Sequence, residues 1–210
     1  ATVVRDAGDR RTQTLRQAAL PFLRNGYDAT SMSGIADACG ITKPGLYYHF
    51  KGKQDLLFAI MSHALDLLEQ RTLAAMLSAS THEERLRNIL HSHVRLITEL
   101  EDGALTILVV TERNALRPED RRIIEQRVVS YTALIRATLE GLRAAGRLRE
   151  IDSAVATMTL LGLMVWTSRW YRRSGQLTGD EIADQVTELG LASVLREPAE
   201  PPESASHLLR

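Results

Sequence analysis

Thr30-Ser31-Met32-Ser33-Gly34-Ile35-Ala36-Asp37-Ala38-Cys39-Gly40-Ile41-Thr42-Lys43-Pro44-Gly45-Leu46-Tyr47-Tyr48-His49-Phe50 decides the fold. It reads as two short helices joined by a tight turn. The Ser31 hydroxyl can cap the first helix by accepting an otherwise orphan backbone N–H. Met32, Ile35 and Ala36 place apolar atoms on one face at helical spacing. Gly40 suits the left-handed residue that ends a helix. Thr42 can cap the second helix, and Pro44 falls in a first turn that can spare its N–H. Helix, glycine-containing turn and second short helix make the layout of a DNA-binding helix-turn-helix. The second helix then turns Leu46 and Phe50 inward and exposes Lys43, Gly45, Tyr47, Tyr48 and His49.

Outward from this stretch, helical periodicity continues in both directions. Leu15, Ala18, Ala19, Phe22 and Leu23 form the stripe of an amphipathic helix over Arg10–Asn25, stopped by Gly26. Residues 1–9 read as a polar arm. From Lys53 to about Leu77, Leu56, Leu57, Ile60, Met61, Ala64, Leu65 and Leu68 share one face of a long helix. A further helix runs from Glu83 to Leu100. Gly103 interrupts, and the apolar run Leu105–Val110 is assigned to a short buried helix by its helical neighbours. Arg117-Pro118-Glu119 opens a helix that ends at Gly146. Asp152 caps another, apolar nearly all round from Ala154 to Trp166, which predicts burial on every side. It is shorter than the ~20 residues of a membrane span. Ser174-Gly175 ends it. Thr178 and Glu181 form a capping box for the last helix, with Ile182, Val186 and Leu189 inward. The Pro- and Glu-rich tail 197–210 cannot fold alone. The expected class is all-α, about nine helices, with no internal repeat. An N-terminal three-helix helix-turn-helix unit spans 9–69 (the motif itself 31–50), and a C-terminal helical unit spans 78–196.

Composition agrees. Of 210 residues, 44% are apolar and only 5% aromatic, as expected of a helical protein. The one cysteine, Cys39, excludes an internal disulfide and a cysteine-rich zinc site. The polar start carries no signal peptide, so cytoplasmic residence is expected. Net charge is zero. Residues 1–63, however, hold eight Lys and Arg against five Asp, an excess of three, and the rest of the chain is acidic to the same extent. A basic end on an acidic body suits a protein that touches phosphate at one end. No nucleophile elbow, P-loop or dinucleotide fingerprint is present, so neither enzyme activity nor a cofactor is expected. His91 and His93 point about 200° apart on a helix and do not form a metal pair; no metal site is expected.

The motif resembles the N-terminal domain of the TetR family of transcriptional regulators. The run Gly45-Leu46-Tyr47-Tyr48-His49-Phe50-Lys51-Gly52-Lys53-Gln54-Asp55-Leu56-Leu57 is similar to that family's signature, as is Thr30-Ser31 ahead of it. The resemblance covers roughly residues 9 to 69. It implies a recognition helix in the major groove, with Lys43 donating to guanine or phosphate and Pro44 and Gly45 allowing close approach. Tyr47, Tyr48, His49 and Lys53 would hold the backbone, joined by the hydroxyls of Thr30, Ser31, Ser33 and Thr42. Tyr47 is open between packing and phosphate contact. Arg10, Arg11 and Arg16 are open between phosphate contact and a solvated face. One domain is too small a footprint for tight specific binding, so a homodimer on a palindromic operator is expected, paired through residues 153–170 and 179–195.

The resemblance also implies a ligand-responsive regulator, most commonly a repressor, with an effector pocket in the C-terminal half. Its candidate residues are Leu105, Leu108, Arg113, Tyr131, Leu163, Trp166, Arg169 and Trp170, with His91, His93, Thr106 and Glu112 as further polar points. The run from Trp166 to Gly175 is similar to a branch that senses acyl-CoA esters, whose phosphates would favour its arginines. The effector is therefore expected to be small and apolar or an acyl-CoA. The alternative is a helical ligand-binding or partner-binding protein without DNA binding.

Overall fold

The computed structural model describes the backbone of residues 2–196 and the side chains of residues 10–99 and 102–196. The tail 197–210 lies outside the described residues. Nine α-helices appear among them: α1 (Thr2–Ala29), α2 (Met32–Ala38), α3 (Lys43–His49), α4 (Lys53–Leu77), α5 (His82–Thr98), α6 (Leu100–Thr111), α7 (Pro118–Ala144), α8 (Ser153–Trp170) and α9 (Gly179–Val194). One 3-10 turn, Arg113–Ala115, links α6 to α7. None of these helices is long and apolar enough to cross a membrane.

The boundaries follow local chemistry. Ser31 and Thr42 accept the Gly34 and Gly45 N–H groups at 3.1 and 3.2 Å, capping α2 and α3. Gly40 takes φ +63°, the left-handed geometry that turns one helix into the other. The Thr81–Glu84 and Thr178–Glu181 pairs form full capping boxes at α5 and α9. Three boundaries differ from the sequence expectation, while the break at Gly26 agrees with it. The backbone of residues 2–9 continues α1 rather than forming an arm, and the helix breaks at Gly26. Gly103 does not interrupt the chain; it lies in the first turn of α6. A Cβ there would sit 2.2 Å from the Ile97 carbonyl oxygen, so its bare backbone lets α6 cross the end of α5. Finally, α8 ends at Trp170, before Ser174-Gly175.

The α1–α4 core is built from Leu15, Phe22, Ile35, Leu46, Leu56, Leu57 and Ile60, all fully buried. Burial of this kind is worth about 1.5–3 kcal/mol per large side chain. Leu23, expected in the same stripe, is exposed instead. Helix α5 is the hub of the rest, packing on α4, α6, α7, α8 and α9. Leu189 of α9, expected inward, faces out. So does one side of α8, where Val155, Met158, Trp166 and Trp170 are exposed in the single chain. Burial of α8 on every side therefore requires something outside this chain.

Two clasps tie the first four helices to the remainder. Arg16 of α1 grips Asp102 of α6 through two hydrogen bonds of 2.6 and 3.1 Å, and Asp102 is almost wholly buried. At the start of α4, Gln54 donates to the Ala115 carbonyl at 2.7 Å and accepts from the Arg117 N–H at 3.1 Å. The Arg117 guanidinium also reaches Asp55 at 2.6 Å. Both clasps attach to opposite ends of the α6 segment.

Candidate functional site

The exposed face of α3 is assembled from the residues the motif predicts. Lys43, Pro44, Tyr47, Tyr48 and His49 are exposed, and Gly45 is partly covered. Leu46 and Phe50 are buried beneath them and fix the helix against the core. Tyr47 is about half exposed, so it both packs and presents its hydroxyl; Tyr48 is 86% exposed. The Tyr48 and His49 rings meet edge to face at 5.1 Å. Ser31 and Ser33 are exposed, and Thr42 is exposed at the start of α3. The Ser31 and Thr42 hydroxyls accept their cap N–H groups and keep their own protons for an outside acceptor such as phosphate.

Three expected contacts are placed elsewhere. Thr30 is buried, its hydroxyl donating to the Gly26 carbonyl at 2.7 Å, so it closes the end of α1 rather than facing outward. Lys53 donates to the Tyr27 and Asp28 carbonyls at 2.8 and 3.3 Å, with its ammonium 4.2 Å above the Tyr27 ring. It braces α4 against the break in α1, where three acceptors stabilise the charge. Arg16 is committed to Asp102, and Arg11 lies over the Phe50 ring. Arg10 lines a cleft of about 370 Å³ with Gln13, Thr14, Gln17, Cys39, Gly45 and His49, so it borders the α3 surface. Burial pushes the Cys39 thiol up to about 11, and the sulfur lies 3.7 Å from the Thr14 carbonyl. Cys39 is therefore a packing residue and no nucleophile.

A second site lies between α4, α5, α6, α7 and α8. It is a chamber of about 180 Å³ with apolar walls that include Leu65, Leu68, Val109, Val128, Leu161 and Val165. Its polar points are His93, Tyr131, Thr106 and Thr132. His93 Nδ1 and the Tyr131 hydroxyl are hydrogen bonded at 2.6 Å, and both residues are buried. His93 Nε2 is buried with no hydrogen-bond partner among the described residues. Burial drives the imidazole down to about 4 and raises the Tyr131 phenol, so both are neutral at physiological pH.

Of the expected effector residues, Tyr131 lines this chamber, as do the expected polar points His93 and Thr106. Leu105 and Leu108 are buried on the other side of α6, in the core. Arg113 sits in the 3-10 turn below it. Leu163 packs toward Gly190 of α9. Trp166, Arg169 and Trp170 are on the exposed side of α8. The residues that do the lining on α6 are one position along, Thr106, Val109 and Val110, which a run apolar throughout does not distinguish. His93 was visible as the one polar residue on the apolar stripe of α5.

The neutral His93 carries a measurable consequence. Its ordinary value is 6.5, so below that pH the unfolded chain binds a proton there that the folded chain refuses until about 4. Stability therefore falls as pH drops through this window. The contribution lost at pH 5 is about 2 kcal/mol. Urea unfolding at pH 7.5 and 5.0 should show the wild type losing that much more than His93→Gln. Equal losses would mean that His93 titrates normally in the fold.

The chain is similar to known proteins over most of its length. Residues 15–60 match the family model described as bacterial regulatory proteins, tetR family, and residues 79–194 match the one described as tetracyclin repressor-like, C-terminal domain. AibR, solved in complex with isovaleryl coenzyme A and operator DNA, is 32% identical, with a TM-score of 0.77 over 86% of this chain and 97% of that one. The transcriptional repressor KstR2 of Rhodococcus jostii is 28% identical over 88% of this chain and 92% of its own. The ketosteroid transcriptional regulator KstR2 of Mycobacterium tuberculosis is 25% identical, with a TM-score of 0.80 over 90% of this chain and 96% of that one. With its helix-turn-helix in place and the C-terminal model matched over most of the second half, the chain belongs to the TetR family of bacterial transcriptional regulators.

Proposed function

We propose that the chain is a cytoplasmic, non-enzymatic repressor that binds a palindromic operator as a homodimer and is released by a small apolar or acyl-CoA effector. The observation that carries this is the coexistence of an intact α3 surface with an apolar chamber, joined by α6. The alternative, a ligand-binding protein without DNA binding, gives no reason for Lys43, Tyr48 and His49 to stand together unpacked. Kinship with AibR, whose solved complex holds both isovaleryl coenzyme A and operator DNA, supports the pairing of these two sites.

The DNA-facing set is Ser31, Ser33, Thr42, Lys43, Pro44, Gly45, Tyr47, Tyr48 and His49. Thr30 and Lys53 hold that set in place from behind. Only Lys43 is a long donor at the tip of α3, so methyl contacts and DNA shape carry much of the specificity. The DNA-binding unit is 9–69 and the effector and dimer unit 78–196, with α4 running from one into the other. Pairing uses the exposed sides of α8 and α9. Two such units place their recognition helices roughly one DNA turn, ~34 Å, or a small multiple apart.

Control follows from the clasps. Thr106, Val109 and Val110 of α6 wall the chamber. Asp102 at the start of α6 holds α1, and the turn after α6 holds the start of α4 through Gln54 and Asp55. An effector seated against Thr106, Val109 and Val110 shifts α6, and α6 moves the helices that carry α3. Release requires the effector to bind that displaced arrangement more tightly than the operator-bound one. The test is a gel shift with the DNA flanking the protein's own gene, titrated with acyl-CoAs and with free CoA as control. Retarded DNA freed by an ester but not by CoA is the expected result. No retardation at any protein concentration would overturn the reading.

A further inference from the structure

The chamber does not end blindly. Thr132 and Met158 line it and also line a second hollow of about 220 Å³ between α7 and α8. That hollow is bounded further by Val129, Ala133, Arg136, Ala154 and Thr157. Arg136 is exposed and makes no hydrogen bond or ion pair among the described residues. An apolar compartment with one unpartnered buried polar atom, His93 Nε2, thus adjoins an outer groove bordered by an exposed guanidinium.

Each part reads one piece of a ligand. A cavity near 150 Å³ lined by aliphatic side chains accommodates a molecule of benzene's size. At about 180 Å³ the chamber therefore holds a linear or branched chain of up to about seven carbons. A fatty chain twice that length has no room without opening the core. In the tautomer in which the Tyr131 hydroxyl donates to His93 Nδ1, the neutral ring carries its hydrogen on Nε2, which has no partner among the described residues. That N–H is a donor buried without an acceptor, and one oxygen on the ligand satisfies it. The guanidinium suits an anionic group outside, phosphate above all.

Resting on the reading of the chain as an effector-controlled regulator, we infer that the effector is a short-chain acyl thioester of coenzyme A. Its acyl group of about seven carbons or fewer fills the chamber, its acyl oxygen accepts from His93 Nε2, and its phosphate-bearing carrier lies along the α7–α8 groove beside Arg136. The arginines at the end of α8, Arg169, Arg172 and Arg173, are not needed for it. Arg172 is already turned onto the Arg169 and Tyr171 carbonyls.

Isothermal titration of the full-length protein with acetyl-, butyryl-, isovaleryl-, hexanoyl-, decanoyl- and palmitoyl-CoA tests this, with free CoA and isovaleric acid as controls. Affinity should rise to a maximum between four and seven carbons and fall at least tenfold by ten. His93→Phe should weaken the best ester about tenfold, and His93→Gln, which keeps a donor, should recover most of it. Arg136→Ala should weaken the esters several-fold and leave isovaleric acid unaffected. Palmitoyl-CoA binding as tightly as hexanoyl-CoA would overturn the inference, as would unchanged affinity in both His93→Phe and Arg136→Ala. Binding by no ester would overturn it too. Because operator retardation is measured without any ester, DNA binding that persists in that case leaves the regulator reading standing. Its loss would sink that reading on separate grounds.

Discussion

Lys43→Ala combined with Tyr48→Ala will lower operator affinity roughly a thousand-fold without unfolding the protein. Each contact of this type is worth about 1–3 kcal/mol, and a two-fold dimer loses it at both half-sites. Folding is spared because Tyr48 is 86% exposed, Lys43 points outward, and the Thr42 cap and the Leu46 anchor of α3 remain. Fluorescence anisotropy on the DNA flanking the gene measures the loss, and a circular-dichroism melt verifies the fold. The salt dependence sorts the role of Lys43. If it meets a phosphate, Lys43→Ala alone reduces the slope of log K against log salt by about 2 for the dimer; if it meets a base, the slope is kept while discrimination relaxes. Operator affinity unchanged in the double variant would remove α3 as the reading surface.

The helix-turn-helix was legible because nothing distant is needed to form it. Ser31, Gly40 and Thr42 act on backbone groups within three residues, and Met32, Ile35 and Leu46 need only know which side is inward. The same local logic found the apolar faces of α4, α5 and α7. What failed needed partners far along the chain. Arg16 was open between phosphate contact and a solvated face until Asp102, 86 residues on, claimed it. Lys53 looked like a surface contact until the broken end of α1, 26 residues back, presented the Tyr27 carbonyl; Thr30 failed locally instead, because the break at Gly26 offers its hydroxyl a carbonyl four residues away. The chamber was only partly legible for a related reason: His93, Thr106 and Tyr131 were expected as its polar points, but most of its apolar walls were not. Periodicity says which residues of a helix share a face, but α6 and α8 are apolar on several faces at once. Which face meets α5 and which meets solvent is then set by packing, and Leu105 and Leu108 exchange roles with Thr106 and Val109.

That ambiguity on α8 has a use, and it yields the second large effect. A helix apolar all round has to be covered on both sides, and within one chain only the side carrying Ala156, Leu160 and Met164 is buried. The other side carries Val155 and Trp166 on one face, with Trp166 65% exposed. Gly162 sits in the middle of that stripe, with no atom within 4 Å of where its Cβ would be, which leaves room for a facing helix to come close. On α9, Asp180, Asp184 and Glu188 are paired with Arg95, His91 and Arg87 of α5, so its charged edge is already used. Leu189 stays out on the remaining face, free to join the same contact. Trp166→Glu places a carboxylate in this stripe, where a second copy would have to bury it unpaired. The variant is expected to run as a monomer in light scattering at micromolar concentration, while the wild type runs as a dimer. Its helical content should be intact, since Trp166 packs on little within its own chain. Operator affinity should fall at least 100-fold, because two half-sites no longer act through one molecule. A variant that stays dimeric would move the interface off α8. A monomer that keeps full operator affinity would show that one α3 suffices, and the sparse donors at its tip would then have to specify the operator alone.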